Sequence, residues 1–317
     1  MKKLLSVTLA TLIIISTMIL CVGAVSNQNS KTEDFSMTIY DLETGEETTK
    51  TYHVNSDIIA ALNSQAESIS SSSVTNETLS LLSGDSEFTN MGLSKVGNTT
   101  VKPYSPIGLF KITKELAIIE GYGTAFMISD NVAITAAHNL YNKSKGKWFS
   151  GGYFYPGKSG AGIGNDPYGM AYAKKWAVCT QYIESSDTAL CNYDWGAFVL
   201  DKPIGKECGK LTISPLSDSE IQNASLMTAG YPQYRDTIGT IVNYAQYKQQ
   251  MNSCYIAPNF FRSSVDCFGG QSGSPVFANN KVCGIVTGRA LDGSYSVYTR
   301  INNTVYAYLM QYAADNA

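Results

Sequence analysis

The sequence predicts an all-β fold of roughly 230 residues closed by one C-terminal helix, a size compatible with one all-β unit. Three observations carry this expectation. Gly121–Ile128, Ser129–Asn131 and Val132–Ala137 read as strand, turn and strand. The 21 tyrosines are spread mostly through strand-like stretches, where aromatic rings fit a half-buried pleated surface. A helical period appears only near the end. There Val305, Tyr308, Leu309 and Tyr312 fall on one face of Thr304–Ala314, and Asn302-Asn303 offers a cap.

Taken in order, Met1-Lys2-Lys3, an apolar run from Leu4 to about Cys21, and Val22-Gly23-Ala24 read as an export signal over residues 1–24. The alternative is an uncleaved anchor, because the run is long enough to span a bilayer. Leu20 disfavours lipid attachment through Cys21, since a small residue is expected there. Residues 25–90 read as a pro-segment and linker. Met37–Leu42 and Thr48–Val54 flank Glu43–Glu47 as a hairpin, and the Ser-rich stretch Ser68–Ser73 with Val74–Thr78 lacks the apolar content to pack. A cut between Ser80 and Lys95 would separate this part from residues 91–317; the alternative is an extension that stays attached. Within the main unit, Gly151–Tyr172 reads as surface loops punctuated by Pro156 and Pro167.

Net charge is −3, charged residues make up 15%, and no basic run occurs, which argues against a nucleic-acid partner. After removal of the signal the cysteines are Cys179, Cys191, Cys208, Cys254, Cys267 and Cys283. An even number in an exported chain suggests disulfides. Short loops favour Cys179–Cys191 and Cys254–Cys267, leaving Cys208 with Cys283. A zinc site is the alternative, but no Cys-x-x-Cys spacing and no spare histidine support it.

The segment richest in chemistry is Phe268-Gly269-Gly270-Gln271-Ser272-Gly273-Ser274-Pro275-Val276. A serine hydroxyl becomes a nucleophile only when a base takes its proton and fixed donors receive the oxyanion. Glycines beside Ser272 allow a tight turn and free the N–H groups of Gly270 and Ser272 to point at one oxygen. The chain has two histidines. His53 lies in the segment expected to be removed, whereas His138 closes the strand pattern Val132–Ala137 among small residues, so the base is His138 or none. Asp194, at the mouth of the apolar run Gly196–Leu200, is a carboxylate expensive to bury without a partner. Singly, a structural histidine and a turn aspartate would explain these residues; three weak matches in one order are harder to obtain by chance.

The order His138, Asp194, Ser272 is that of chymotrypsin-type enzymes. Thr135-Ala136-Ala137-His138, Tyr193-Asp194-Trp195-Gly196-Ala197, Pro203-Ile204-Gly205, Ala229-Gly230-Tyr231-Pro232 and Gly269–Phe277 together resemble the bacterial glutamyl-endopeptidase branch of the trypsin-like serine proteases. Val96–Tyr104 is similar to the opening of the mature enzymes. The resemblance implies two packed antiparallel six-stranded β-barrels with a C-terminal helix and the site in the cleft between them. It further implies a secreted monomeric endopeptidase, made as a zymogen, that acts on protein or peptide without cofactor or metal and without stable membrane association once the signal is removed. His138 would be the base, Asp194 its orienter and Ser272 the nucleophile, with Gly270 and Ser272 as the oxyanion hole.

This sequence departs from the family pattern at several positions. Asn139 stands where animal trypsins carry a cysteine, and Gln271 where they carry the aspartate that captures a new N-terminus. Val286, in Gly284-Ile285-Val286, takes the place of the histidine of glutamate-specific relatives. Asp266, six residues before Ser272, matches the acid that trypsins pair with lysine or arginine, although Arg289 lies near enough in sequence to neutralise it. Ser296–Ile301 resembles the pocket strand, and Val286-Thr287-Gly288 would pair with an extended substrate by strand addition. Acidic P1 residues are therefore disfavoured and basic ones weakly favoured. The alternatives are a catalytically silent relative kept as a binding or adhesion module, and a cell-wall protein with a coincidental triad.

Overall fold

Apolar strand patterns fold into two large sheets in the computed structural model, which describes residues 35–52, 92–185, 192–233, 244–290 and 293–317. The expected export signal, the Ser-rich linker and Cys191 lie outside the described residues. The first sheet contains β1 (Phe35–Asp41), β2 (Glu47–Tyr52), β4 (Ile107–Lys114), β5 (Ile118–Met127), β6 (Val132–Thr135), β9 (Gly151–Pro156), β10 (Ala171–Cys179) and β11 (Gly196–Leu200). Its order is β11-β6-β5-β4-β9-β10-β1-β2, and β10 also pairs with β11. That extra pairing closes six strands into a barrel, with the hairpin β1–β2 added outside.

The second sheet contains β3 (Ser94–Lys95), β12 (Leu226–Gly230), β13 (Tyr247–Met251), β14 (Ser253–Ile256), β15 (Phe260–Ser263), β16 (Pro275–Ala278), β17 (Lys281–Arg289) and β18 (Ser296–Arg300). Its order is β14-β15-β18-β17-β16-β12-β13-β3. Six strands were expected here; the sheet has eight and curls as a half-barrel that no pairing closes among the described residues. β7 (Tyr141–Asn142) and β8 (Lys147–Trp148) form a small separate ribbon.

The first barrel is filled by Phe110, Phe126, Phe154, Trp176 and Phe198, all fully buried. Phe110 stacks on Phe198 at 4.7 Å, and Trp176 meets both edge-on at 5.8 Å. Glycine makes room for this aromatic layer. A Cβ on Gly108 would lie 2.3 Å from the Phe154 ring, and one on Gly152 would lie 2.6 Å from the Phe110 ring. This corrects the loop expected over residues 151–172. Gly151–Pro156 is a strand with alternate residues buried, and Gly152 marks close packing under rings rather than a turn.

The C-terminal helix runs over Asn303–Asp315, with the Asn302 side chain accepting from the Val305 N–H at 3.0 Å. Its buried face includes Val305, Tyr308, Leu309 and Tyr312 as the period predicts, and Tyr308 packs against Trp195. Three short helices, Thr180–Glu184, Gly205–Cys208 and Asp218–Asn223, were not expected. The last carries a reciprocal capping box between Ser217 and Glu220, legible as Ser-x-x-Glu.

The hairpin is present and docked. β1 pairs antiparallel with β10 from Met37↔Cys179 to Asp41↔Lys175, along the part of β10 that β9 leaves unpaired. Met37 is fully buried, a contribution of about 1.5–3 kcal/mol for such a side chain. Tyr40 stacks on Trp148 at 5.3 Å, and Tyr52 meets Tyr308 edge-on at 5.2 Å.

Two expected disulfides are absent among the described residues. Cys208, Cys254, Cys267 and Cys283 are all free thiols. Cys208 packs in the large apolar cluster that includes the first barrel, and Cys283 in a separate cluster of the second sheet. Cys254 is exposed at an irregularity in the β14–β15 register, whereas Cys267 is buried. Proximity in sequence did not bring the sulfurs together. Cys179 is also a free buried thiol, and its expected partner Cys191 lies outside the described residues.

Candidate active site

Small residues carry β6 into the short turn Ala137–Asn139, which places His138 at the junction of the two sheets with its side chain 35% exposed. Asp194, at the mouth of β11, is 2% exposed. Its Oδ1 accepts the His138 backbone N–H at 2.9 Å, and its Oδ2 faces His138 Nδ1 at 2.7 Å. The carboxylate therefore holds both the backbone and the ring of the histidine. Burial works against the imidazolium, but the charge of Asp194 and its hydrogen bond outweigh burial and raise the His138 pKa above its ordinary value of 6.5. The Asp194 carbonyl in turn accepts from Thr299 Oγ1 of β18 at 3.3 Å, and Trp195 is buried beside it.

The serine loop reaches this pair from the second sheet. The Ser272 carbonyl accepts from the Thr124 N–H at 2.8 Å and from Asn139 Nδ2 at 3.0 Å. Asn139 also donates to Thr135 Oγ1 at 2.9 Å, and Thr135 Oγ1 donates to the Thr124 carbonyl at 2.7 Å. Thr124 Oγ1 donates to the Gly270 carbonyl at 2.8 Å and accepts from the Tyr231 N–H at 3.0 Å. Every member of this clamp belongs to the histidine-bearing barrel, except the serine loop and Tyr231 that it holds.

Two glycines make the close approach feasible. Gly270 and Gly273 have φ of +83° and +87°, where an L side chain is strained. A Cβ on Gly273 would lie 2.1 Å from the Thr124 carbonyl oxygen. Within the loop, the N–H groups of Gln271, Gly273 and Ser274 donate to the carbonyls of Phe268, Val286 and Gln271. Those of Gly270 and Ser272 meet no protein acceptor among the described residues. Gln271 is fully buried, and its Oε1 accepts from the Phe268 N–H at 2.8 Å, so an amide staples the loop from within.

The residues matched to the specificity pocket lie on and beside two paired strands, with Ser296 of β18 opposite Arg289 of β17. Val286 is fully buried in the core of the second sheet. Ser296 is fully buried, and its hydroxyl accepts from the Cys267 N–H at 2.8 Å. Thr287 pairs with Thr299 hydroxyl to hydroxyl at 2.8 Å, and a Cβ on Gly288 would face open space. Asp266 is about half exposed, with Arg289 3.9 Å away. Among the described residues no three His, Cys, Asp or Glu side chains gather in a way that could hold a metal ion.

Sequence reasoning missed Thr124, Thr135 and Asn139 as the clamp. The available signals were two threonines in otherwise apolar strand runs and an amide directly after the histidine.

A closed barrel packed on a second curled sheet, with an acid–imidazole pair at their junction, defines the trypsin-like fold class. The chain belongs to the trypsin family: the family model described as Trypsin matches residues 105–308. It is 30% identical over 184 residues to the glutamyl endopeptidase of Bacillus licheniformis, covering 58% of this chain and 52% of that protein. It is 27% identical over 229 residues to a protein of Bacillus subtilis described as an extracellular metalloprotease, covering 69% of this chain and 67% of that one. The match thus spans about half the length of the first of these relatives. Among solved structures, a Glu endopeptidase in complex with MPD aligns with a TM-score of 0.60 at 23% identity, covering 71% of this chain and 97% of that one. Protease Anisep from Arthrobacter nicotinovorans aligns at 0.55 and 16% identity, covering 70% and 99%. These two likenesses speak to the fold.

Proposed function

We propose that the protein is a secreted serine endopeptidase working through His138, Asp194 and Ser272. The observation that carries this reading is the two-point grip of Asp194 on His138 beside a serine loop clamped to the same turn. With Nδ1 facing the carboxylate, the other ring nitrogen is left to take the Ser272 proton. Ser272 Oγ attacks the scissile carbonyl, and the carbonyl oxygen becomes an oxyanion that the unengaged N–H groups of Gly270 and Ser272 receive. The imidazolium, stabilised by Asp194, gives its proton to the leaving amine. Water then cleaves the acyl-enzyme by the reverse route. Proton transfer requires the Ser272 hydroxyl within hydrogen-bonding reach of that ring nitrogen in the substrate complex.

Gly288 suits an extended substrate, since a Cβ there would face open space, whereas the Val286 N–H and carbonyl are already engaged by the Ser274 carbonyl and the Gly273 N–H. The relative from Bacillus licheniformis is a glutamyl endopeptidase, but Val286 turns into the core here and Arg289 offsets Asp266, so P1 preference is set by other contacts.

The test is labelling with a fluorophosphonate probe together with casein hydrolysis. Both should be lost in Ser272→Ala, and a peptide-library profile of the wild type should report P1. Casein hydrolysis retained in Ser272→Ala would overturn the nucleophile. A wild type that neither labels nor cleaves would favour the silent binding module.

A further inference from the structure

We infer that the hairpin Phe35–Tyr52 is a permanent part of the folded body, and that it stays seated as a separate noncovalent chain once the segment joining it to residue 92 is cut. A pro-segment that leaves should rest on a surface able to face water without it. This surface is not of that kind.

The hairpin covers three features at once. First, β1 occupies the edge of β10 over Lys175–Cys179, while β9 pairs only with Ala171 and Tyr172. Without β1 those backbone groups form an open edge, a template for wrong pairing. Second, Met37 inserts fully into the barrel core, and Thr38 Oγ1 hydrogen-bonds Thr180 Oγ1 at 2.9 Å in a buried site. Third, β2 ends against the C-terminal helix. The fully buried Tyr308 donates its hydroxyl to the Tyr52 carbonyl at 2.6 Å. Tyr52 Oη donates to Asp315 at 3.1 Å, and Lys50 forms an ion pair with the same carboxylate. The rim adds a hydrogen bond from Trp148 Nε1 to Glu47 at 2.7 Å and an ion pair between Lys174 and Glu43.

This arrangement is that of an element inside a fold, with backbone pairing, a core side chain and satisfied buried hydroxyls. Departure of the hairpin would break the Tyr308–Tyr52 and Thr180–Thr38 hydrogen bonds, open the β10 edge and expose the apolar surface that Met37 covers. The helix that receives Tyr52 also packs Tyr308 on Trp195, next to Asp194. The hairpin therefore supports the wall behind the candidate site without entering the cleft.

The experiment uses the full chain in a Ser272→Ala background, so that self-digestion does not confuse the reading. A recognition sequence for a site-specific protease is placed between residues 53 and 91, and the folded protein is cut. The expected result is two chains on a denaturing gel but one species of unchanged mass by native mass spectrometry, one hairpin fragment per body. Denaturant should be required to part them. Met37→Asp, which puts a carboxylate into the barrel core, should release the fragment after cutting and lower the melting midpoint of the body by at least ~5 °C. Separation of the wild-type fragment under native conditions, with the midpoint of the body unchanged, would overturn the inference. This outcome is independent of whether the protein cleaves peptides.

Discussion

Replacing Thr124 by valine tests whether the candidate site is assembled by the first barrel. The change keeps the shape and exchanges the hydroxyl for a methyl. Thr124 is fully buried, and its Oγ1 serves two groups, the Gly270 carbonyl at 2.8 Å and the Tyr231 N–H at 3.0 Å. Both would lose their partner, at about 1–3 kcal/mol each, so unfolding stability should fall by about 2–6 kcal/mol. The methyl would also press on the Gly270 carbonyl oxygen from hydrogen-bonding distance. That peptide lies next to an N–H assigned to the oxyanion, where loss of one donor costs about 10²–10³ in kcat. A displaced rather than deleted donor should cost about 10–100-fold in kcat, with KM nearly constant. Urea unfolding and steady-state kinetics on a peptide ester read the two effects separately. Thr124→Ser keeps the hydroxyl and should recover most of both. Unchanged stability and kcat in Thr124→Val would refute the reasoning, as would an equal loss in Thr124→Ser.

Other expectations follow from individual contacts. His138 has a folded pKa raised above 6.5, so its neutral, basic form accumulates only above that pH and the acid limb of kcat/KM should have its midpoint above 6.5. Stability from the His138–Asp194 pair is fully present below pH 6.5 and is lost as pH rises through the raised folded pKa. Asp194→Asn should move the acid limb downward and reduce kcat by about 10⁴, and an unmoved limb would contradict the pairing. Gly273→Ala places a Cβ 2.1 Å from the Thr124 carbonyl oxygen at a φ of +87°. It should lower stability by about 3 kcal/mol or more, and a calorimetric midpoint equal to wild type would be inconsistent with the loop geometry. In the native protein Cys254 should react with a thiol reagent, while Cys208, Cys267 and Cys283 react only after unfolding. Burial pushes the Cys208 and Cys283 thiols up to about 12 and raises Cys267 as well. Disulfide-linked peptides joining Cys254 to Cys267, or Cys208 to Cys283, would contradict the free thiols.

The all-β class, the capped terminal helix and the N-terminal hairpin were legible because each rests on a local signal: alternation, helical period, or a polar turn between two strand runs. The pairing of His138 with Asp194 was legible from the scarcity of histidine, the order of the motifs along the chain and the family resemblance. Other features depend on contacts distant in sequence. Gly151 and Gly152 look like a loop until Phe110 and Trp176 are seen to lie over Gly152. Cysteine spacing suggested bridges, but Cys254 is exposed while Cys267 is buried, and Cys208 and Cys283 belong to different apolar clusters. Val286 was matched to the pocket by position along the strand, and its burial in the second core depends on pleat and packing that one sequence does not give. The clamp residues escaped because their partners lie on the opposite sheet: Asn139 reaches Ser272 across 133 positions of chain.

The pairing at the centre of the molecule has a spectroscopic corollary. The chain contains only two imidazoles, His53 and His138. His138 Nδ1 lies 2.7 Å from a carboxylate that is 3% exposed, so a proton held between them should exchange slowly with water. Such a proton resonates far downfield of the amide envelope in an unlabelled sample. That one line would follow titration and inhibitor capture without isotopes, chromogenic substrates or a reporter group.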